Sequence, residues 1–143
     1  MKKILLSLIL VSVFMVGCSN INTDTKASCE DLVTTFFDSM NSIEDYTNKS
    51  DLAKLNEYFT ADSDVKDKLI HYLTVFESER EGEVVNNIAK VKEIKKDNGL
   101  YKVLVQYDII SKDNKKVLNQ SDMYIYLKDE DGKLKIKTAD YGG

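Results

Sequence analysis

Asp97-Asn98-Gly99-Leu100-Tyr101-Lys102-Val103-Leu104-Val105-Gln106-Tyr107-Asp108-Ile109, residues 97–109, decides the fold class of this chain. Tyr101, Val103, Val105, Tyr107 and Ile109 recur with a period of two. Such a run suits a half-buried strand with one face on a core. Asp97-Asn98-Gly99 just before it is a hairpin signal, because Asn and Gly tolerate the positive φ that a tight antiparallel turn requires. The strand is therefore expected to pair with what precedes it.

Working outward, the residues from about Val84 to Lys95 form the preceding strand. Val91 and Ile94 fall on opposite parities, which predicts a bulge or an edge position. Lys112 to Lys116 is a second turn. Val117 to Lys128 is a third strand, with Met123, Ile125 and Leu127 on one face. Asp129-Glu130-Asp131-Gly132 turns into a last strand carrying Leu134, Ile136 and Thr138. A one-residue slip would move every side chain to the wrong face. Apolar matching pairs Val105 with Met123, Val103 with Ile125 and Tyr101 with Leu127, across a three-residue loop at 113–115. It also pairs Leu127 with Leu134 and Ile125 with Ile136, across a four-residue loop at 129–132.

Before residue 84 the period is 3.6. Ser28-Cys29-Glu30-Asp31 has the form of a capping box, and a helix is expected from there to about Tyr46. Cys29 falls on the stripe of Leu32, Val33, Phe36, Met40 and Ile43, so a buried thiol is expected. Leu52, Leu55 and Phe59 mark a short second helix after Ser50. Val65, Leu69, Tyr72, Leu73 and Phe76 mark a third, starting near Asp62 or Ser63 and ending before Gly82. Phe36, Leu69, Val103 and Ile125 are the predicted core between helices and sheet. The fold class is α+β: N-terminal helices packed on a curved antiparallel four-stranded meander. This order, with the stretch Leu55-Asn56-Glu57-Tyr58-Phe59-Thr60, resembles the nuclear-transport-factor-2-like cone over roughly residues 27–139, and its cystatin-like relative. The resemblance implies helices filling a concave sheet face, with room for a pocket. Its members include enzymes, non-catalytic lipoproteins and secretion-system parts.

The N-terminus carries an address. Lys2 and Lys3 precede an apolar run of 13 residues, Ile4 to Val16. As a helix this run reaches roughly 20 Å, short of the ~30 Å hydrocarbon core, so it suits a signal segment better than a permanent span. Met15-Val16-Gly17-Cys18 resembles a bacterial lipoprotein signal. That resemblance implies removal of residues 1–17 and acylation of Cys18, with a lipidated tether over 18–27 and one domain over 28–143. Two acyl chains hold a protein stably on a bilayer where one does not. The expected location is the extracytoplasmic side of a cell membrane. Nineteen Lys against one Arg, with no Pro or Trp, favour an AT-rich Gram-positive source.

The full chain has 143 residues and a net charge of −4. Without the signal, 18 basic residues face 24 acidic ones, a balance of −6. No dense Lys/Arg cluster argues for nucleic acid. With Cys18 acylated, Cys29 has no partner for a disulfide. His71 is the single histidine and falls opposite its helix's apolar stripe, so no His/Cys metal cluster and no catalytic triad is expected. No cofactor motif is present.

The inferred concave face offers Tyr101, Tyr107 and Met123 as candidate pocket lining. No carboxylate shares that parity in the two central strands, so no acid/base pair is expected and the chain reads as a non-enzyme. The convex face groups Lys102, Leu104, Tyr124, Tyr126 and Lys135, with Leu104 beside Tyr124, Lys102 beside Tyr126 and Tyr126 beside Lys135. Clustered Tyr and Leu suit a partner surface. The expected function is a membrane-anchored, non-catalytic binding module for an envelope protein or a small apolar ligand. An accessory part in a conjugation or secretion system is one form of it, which no residue selects. The alternative is a cone-fold enzyme acting on a small hydrophobic substrate. The sequence gives no oligomeric state.

Overall fold

The computed structural model describes residues 21–44, 48–79, 85–111 and 115–141, and within these the side chains of all but 74–79 and 85. Residues 1–17, Cys18, the 113–114 turn and the side chain of Phe76 lie outside what it describes. The element order is α1 Thr23–Asn41, α2 Lys49–Ala53, a 3-10 turn Lys54–Tyr58, α3 Lys66–Glu79, then β1 Val85–Asp97, β2 Leu100–Ser111, β3 Val117–Glu130 and β4 Lys133–Tyr141. The four strands form one antiparallel sheet in the order β1-β2-β3-β4.

α1 begins five residues before the Ser28 box. Asn22 is its cap, and its Oδ1 accepts from Thr25 N at 2.7 Å. The Ser28 hydroxyl instead donates to Asp24 O, one turn back. An Asn cap satisfies the first free N–H groups as well as Ser does, and a period-based reading cannot choose between two legal caps. Residues 23–27, read as tether, are thus helical. The helix stops at Asn41, short of Tyr46. The second helix is split: Phe59 leaves the 3-10 turn in extended geometry and makes a parallel bridge with Ile136, and Thr60 N–H donates to Ile136 O at 3.0 Å. This segment covers the outer edge of β4. α3 starts at Lys66, after bends at 61–65.

Asn98 (φ 50°) and Gly99 (φ 79°) make the two-residue β1–β2 turn, closed by the Asp97–Leu100 pair. β1 is an edge strand with a bulge between Val91 and Glu93. The β2–β3 register is the expected one, with Tyr101 opposite Leu127, Val103 opposite Ile125 and Val105 opposite Met123. The β3–β4 register differs. Asp131 (φ 55°) and Gly132 (φ 81°) form a two-residue turn, and Glu130 pairs with Lys133. Leu127 then meets Ile136, not Leu134, and beyond a shift at Tyr126/Leu127, Ile125 meets Ala139, not Ile136. The extra residue, Lys137, extends to Asp62 at 2.8 Å. Lys133, Lys135 and Lys137 alternate without a break, so the pattern gives no sign of the bulge.

Helices and sheet share one core. Phe36, Leu69, Val103 and Ile125 are fully buried as expected, together with Cys29, Val33, Phe37, Met40, Leu73, Tyr107, Met123, Leu127 and Ile136. Phe36 is its hub, meeting Phe37, Tyr58 and Phe59 edge-on at centroid distances of 5.5, 5.7 and 5.6 Å. That arrangement suits ring quadrupoles and adds to area burial.

Candidate functional site

The two faces of the sheet differ in what they leave accessible. On the concave face Tyr107 and Met123 are each 1% exposed and belong to the shared core. Tyr107 is closed off by α3: its hydroxyl and that of Tyr72 share a hydrogen bond of 2.7 Å, and Tyr72 lies 4.5 Å from the Tyr141 ring. Burial, then the bond with Tyr72, raise the Tyr107 pKa well above its ordinary value, so the phenol stays protonated. Among the described residues the buried polar side chains are Thr60, Asn87 and Ser111, and none is a carboxylate, histidine or lysine. The Asn87 amide and the Ser111 hydroxyl make no hydrogen bond there. Among the described residues the interior therefore offers no carboxylate, histidine or lysine as a general acid or base.

Tyr101 lies apart from Tyr107 and Met123. It is half-buried at the hairpin end, in an open groove of about 480 Å³ between the first turns of α1 and the β3–β4 turn, with Asp24, Asp31, Tyr58, Asp129 and Lys133. The three predicted pocket residues therefore do not line one cavity.

The convex face brings four of its five predicted residues together. Leu104 pairs with Tyr124 and Lys102 with Tyr126. The Lys102 ammonium sits 4.2 Å from the Tyr124 ring centroid and 5.6 Å from that of Tyr126. A cation over aromatic faces is held by their quadrupoles. The Tyr126 hydroxyl, as hydrogen-bond partner, raises the Lys102 pKa, so the charge persists at any ordinary pH. Lys95, opposite Lys102 on β1, is paired with Glu93 at 2.9 Å. Two tyrosines and a leucine are thus grouped around one fixed positive charge, partly open to solvent.

Lys135 does not join them. The register puts Thr138 opposite Tyr126 and Lys128 opposite Lys135. Lys135 instead lies 3.5 Å from Glu130, whose other oxygen accepts from Ala61 N at 3.2 Å. It belongs to the ties between β4 and the segment before α3. Ile88 and Val117, about half exposed, were missed as accessible apolar residues: Ile88 lies on the bulged strand and Val117 at a strand end, where parity is uninformative.

His71 is exposed on α3, and Cys29 is buried and free. Among the described residues no three His, Cys, Asp or Glu side chains gather as a metal site. No described helix is long and apolar enough to cross a membrane.

No protein-family model matches this sequence, and no curated protein is significantly similar to it. Solved structures do share its fold. A protein of unknown function with a cystatin-like fold from Nostoc punctiforme is 10% identical, with a TM-score of 0.61 over 83% of this chain and 90% of that one. A function-unknown protein from Mycobacterium tuberculosis is 12% identical, with a TM-score of 0.58 over 81% of this chain and 69% of that one. ActVI-ORFA from Streptomyces coelicolor is 11% identical, with a TM-score of 0.57 over 83% of this chain and 94% of that one. At these identities the likeness extends to the fold: a cystatin-like, nuclear-transport-factor-2-like α+β cone.

Proposed function

We propose that this chain is a lipid-anchored, non-catalytic docking module, held on the outer side of a cell membrane by acylated Cys18, that binds an envelope protein through its convex sheet face. The observation that carries this reading is the contrast between the two faces. The concave side is filled by Tyr107, Met123 and the helices. The convex side gathers Leu104, Tyr124 and Tyr126 around Lys102. Aromatic side chains around a fixed charge resemble the anchors of protein interfaces, where a few residues supply most of the binding energy. The absence of an acid/base group among the described interior residues weighs against the enzyme alternative.

The test is photocrosslinking in cells, with the photoreactive residue at Gln106, between Leu104 and Asp108 on the convex strand. A second photoreactive site at Asp38, exposed on α1, is the control. Docking predicts one dominant protein adduct from Gln106 and none of that mass from Asp38. Tyr124→Ala/Tyr126→Ala should abolish it while leaving Tm nearly unchanged. Equal adducts from both positions, or an adduct that survives the double substitution, would refute the reading.

A further inference from the structure

A second accessible site lies on the helical side, away from the convex sheet face, and does not depend on the docking reading. α2 and α3 enclose a groove of about 360 Å³. Its apolar wall is Leu52, Ala53 and Ile70, of which Ile70 is buried in the core cluster. Its polar lining includes Lys49, Asn56, Lys66 and Asp67, with His71 at the side.

Two lysines line this groove together. Lys54, Lys95, Lys135 and Lys137 are held in ion pairs and Lys102 lies over two tyrosine rings, whereas several other described lysines are not paired. Lys49 and Lys66 have no ion-pair partner among the described residues. Helix stability does not account for their positions either. Each is the first residue of its helix, the end where a positive charge is disfavoured. Two lysines with no ion-pair partner among the described residues thus line one open groove beside Leu52, Ala53 and Ile70, in a chain whose net charge is negative.

We propose that this groove binds a carboxylic acid with a short apolar body, its carboxylate between Lys49 and Lys66 and its hydrocarbon against Leu52 and Ile70. Two ammonium groups against the Asp67 carboxylate leave one net positive charge. That balance selects a monoanion over a polyanion. The Asn56 amide supplies a neutral donor to the same head. The size lies in the ordinary range for small-ligand sites, roughly 300–1,000 Å³.

Hexanoate is the probe, titrated into the full-length ¹⁵N-labelled chain in a neutral detergent at low salt. Hexanol supplies the tail without the charge, and inorganic phosphate the charge without the tail. The expected result is saturable shifts at the amides of Lys49, Leu52, Asn56, Lys66 and Ile70 with hexanoate. Hexanol and phosphate should each bind at least tenfold more weakly. Lys49→Gln/Lys66→Gln should weaken hexanoate tenfold or more, with Tm unchanged. Leu52→Ser, at a half-exposed position, separately tests the tail contact and should weaken hexanoate but not phosphate. Hexanoate binding that is absent, that spreads over the whole surface, or that keeps its affinity in the lysine double variant overturns the proposal. Phosphate binding as tightly as hexanoate overturns it as well.

Discussion

At the scale of single residues, the most informative positions lie under α1. Phe36 makes three edge-on ring contacts and is fully buried. Phe36→Ala would leave a cavity ringed by aromatics that cannot collapse into it, so a loss of about 3–5 kcal/mol is expected in urea unfolding. Tyr58→Phe removes only a hydroxyl, bonded to Ser39 at 2.6 Å, and should cost about 1 kcal/mol. Cys29 gives a pH signature. Burial, with a smaller contribution from neighbouring Glu30, pushes its thiol from 9.0 up to about 11. Because the folded value is the higher one, the thiol's contribution to stability is complete below pH 9 and is lost as pH rises through 11. Equilibrium unfolding at successive pH values should show the decline beginning near pH 9. In Cys29→Ala the onset should move up toward pH 10, where ionisation of Tyr107 begins to oppose folding. At pH 8 the native thiol should resist a thiol reagent that labels the unfolded chain completely. Rapid labelling of the native protein would contradict the buried assignment.

At the scale of elements, the two ends of the sheet are closed by different devices. β4 is covered by Phe59 and Thr60. On β1 the last residue of α1 acts as a stand-in for a strand: Asn41 Nδ2 donates to Asn87 O at 2.8 Å, and Asn41 Oδ1 accepts from Asn87 N at 2.7 Å. The remaining edge carries Lys90, Lys92, Lys95 and Lys96 and a bulge, features that discourage pairing with another chain. Asn41→Ala leaves both Asn87 backbone groups without that partner. A loss of about 1–3 kcal/mol is expected, with hydrogen exchange accelerated at the Asn87 amide more than at Val103. Equal protection in both proteins would show that the clamp contributes nothing. Neither device was legible in the sequence, because both join residues far apart in the chain through groups that carry no periodicity. What was legible had a clean period on at least one side: the alternation at 101–109, the Asn98–Gly99 turn, the Val91–Ile94 parity break. The β3–β4 register failed at the turn, which uses two residues, Asp131 and Gly132, and not four; that error placed Lys135 beside Tyr126, and the bulge beyond Leu127, inside a run of alternating lysines, adds one more residue of offset. The convex cluster of Lys102, Leu104, Tyr124 and Tyr126 was readable because it sits on the two strands whose register was readable. The α2–α3 groove was not, since the relative placement of two helices is set by side-chain packing and leaves no local pattern.

At the scale of the whole molecule, the proposed lipid anchor taken together with the fold implies how the domain would stand on a bilayer. The start of α1 lies beside the β3–β4 turn, since Asp24 and Thr25 share a groove with Gly132 and Lys133. The Asn41 end lies at the opposite end of the sheet, against Asn87. An anchor at Cys18 leaves only residues 18–22 before the helix begins at Thr23, a reach of roughly 17 Å at full extension. That is half the residues of the 18–27 tether expected from the sequence, because 23–27 are helical. The hairpin turns at 98–99 and 131–132 would then face the headgroups, and the convex sheet would stand along the membrane normal, where a membrane-associated partner could reach Tyr124 and Tyr126. The anchor is tested by Cys18→Ser. Because Cys18 precedes every described element, the variant should keep the wild-type Tm while its protein moves from the membrane fraction to the soluble one. Metabolic labelling with a fatty acid should mark the wild type and not the variant. Lengthening the segment by ten Gly/Ser residues before Asn22 separates anchoring from standoff: labelling should persist, while the Gln106 crosslink should weaken if a short reach is what presents the convex face. An unlabelled wild type, or a Cys18→Ser variant that stays with the membrane, would remove the lipid anchor and with it this orientation.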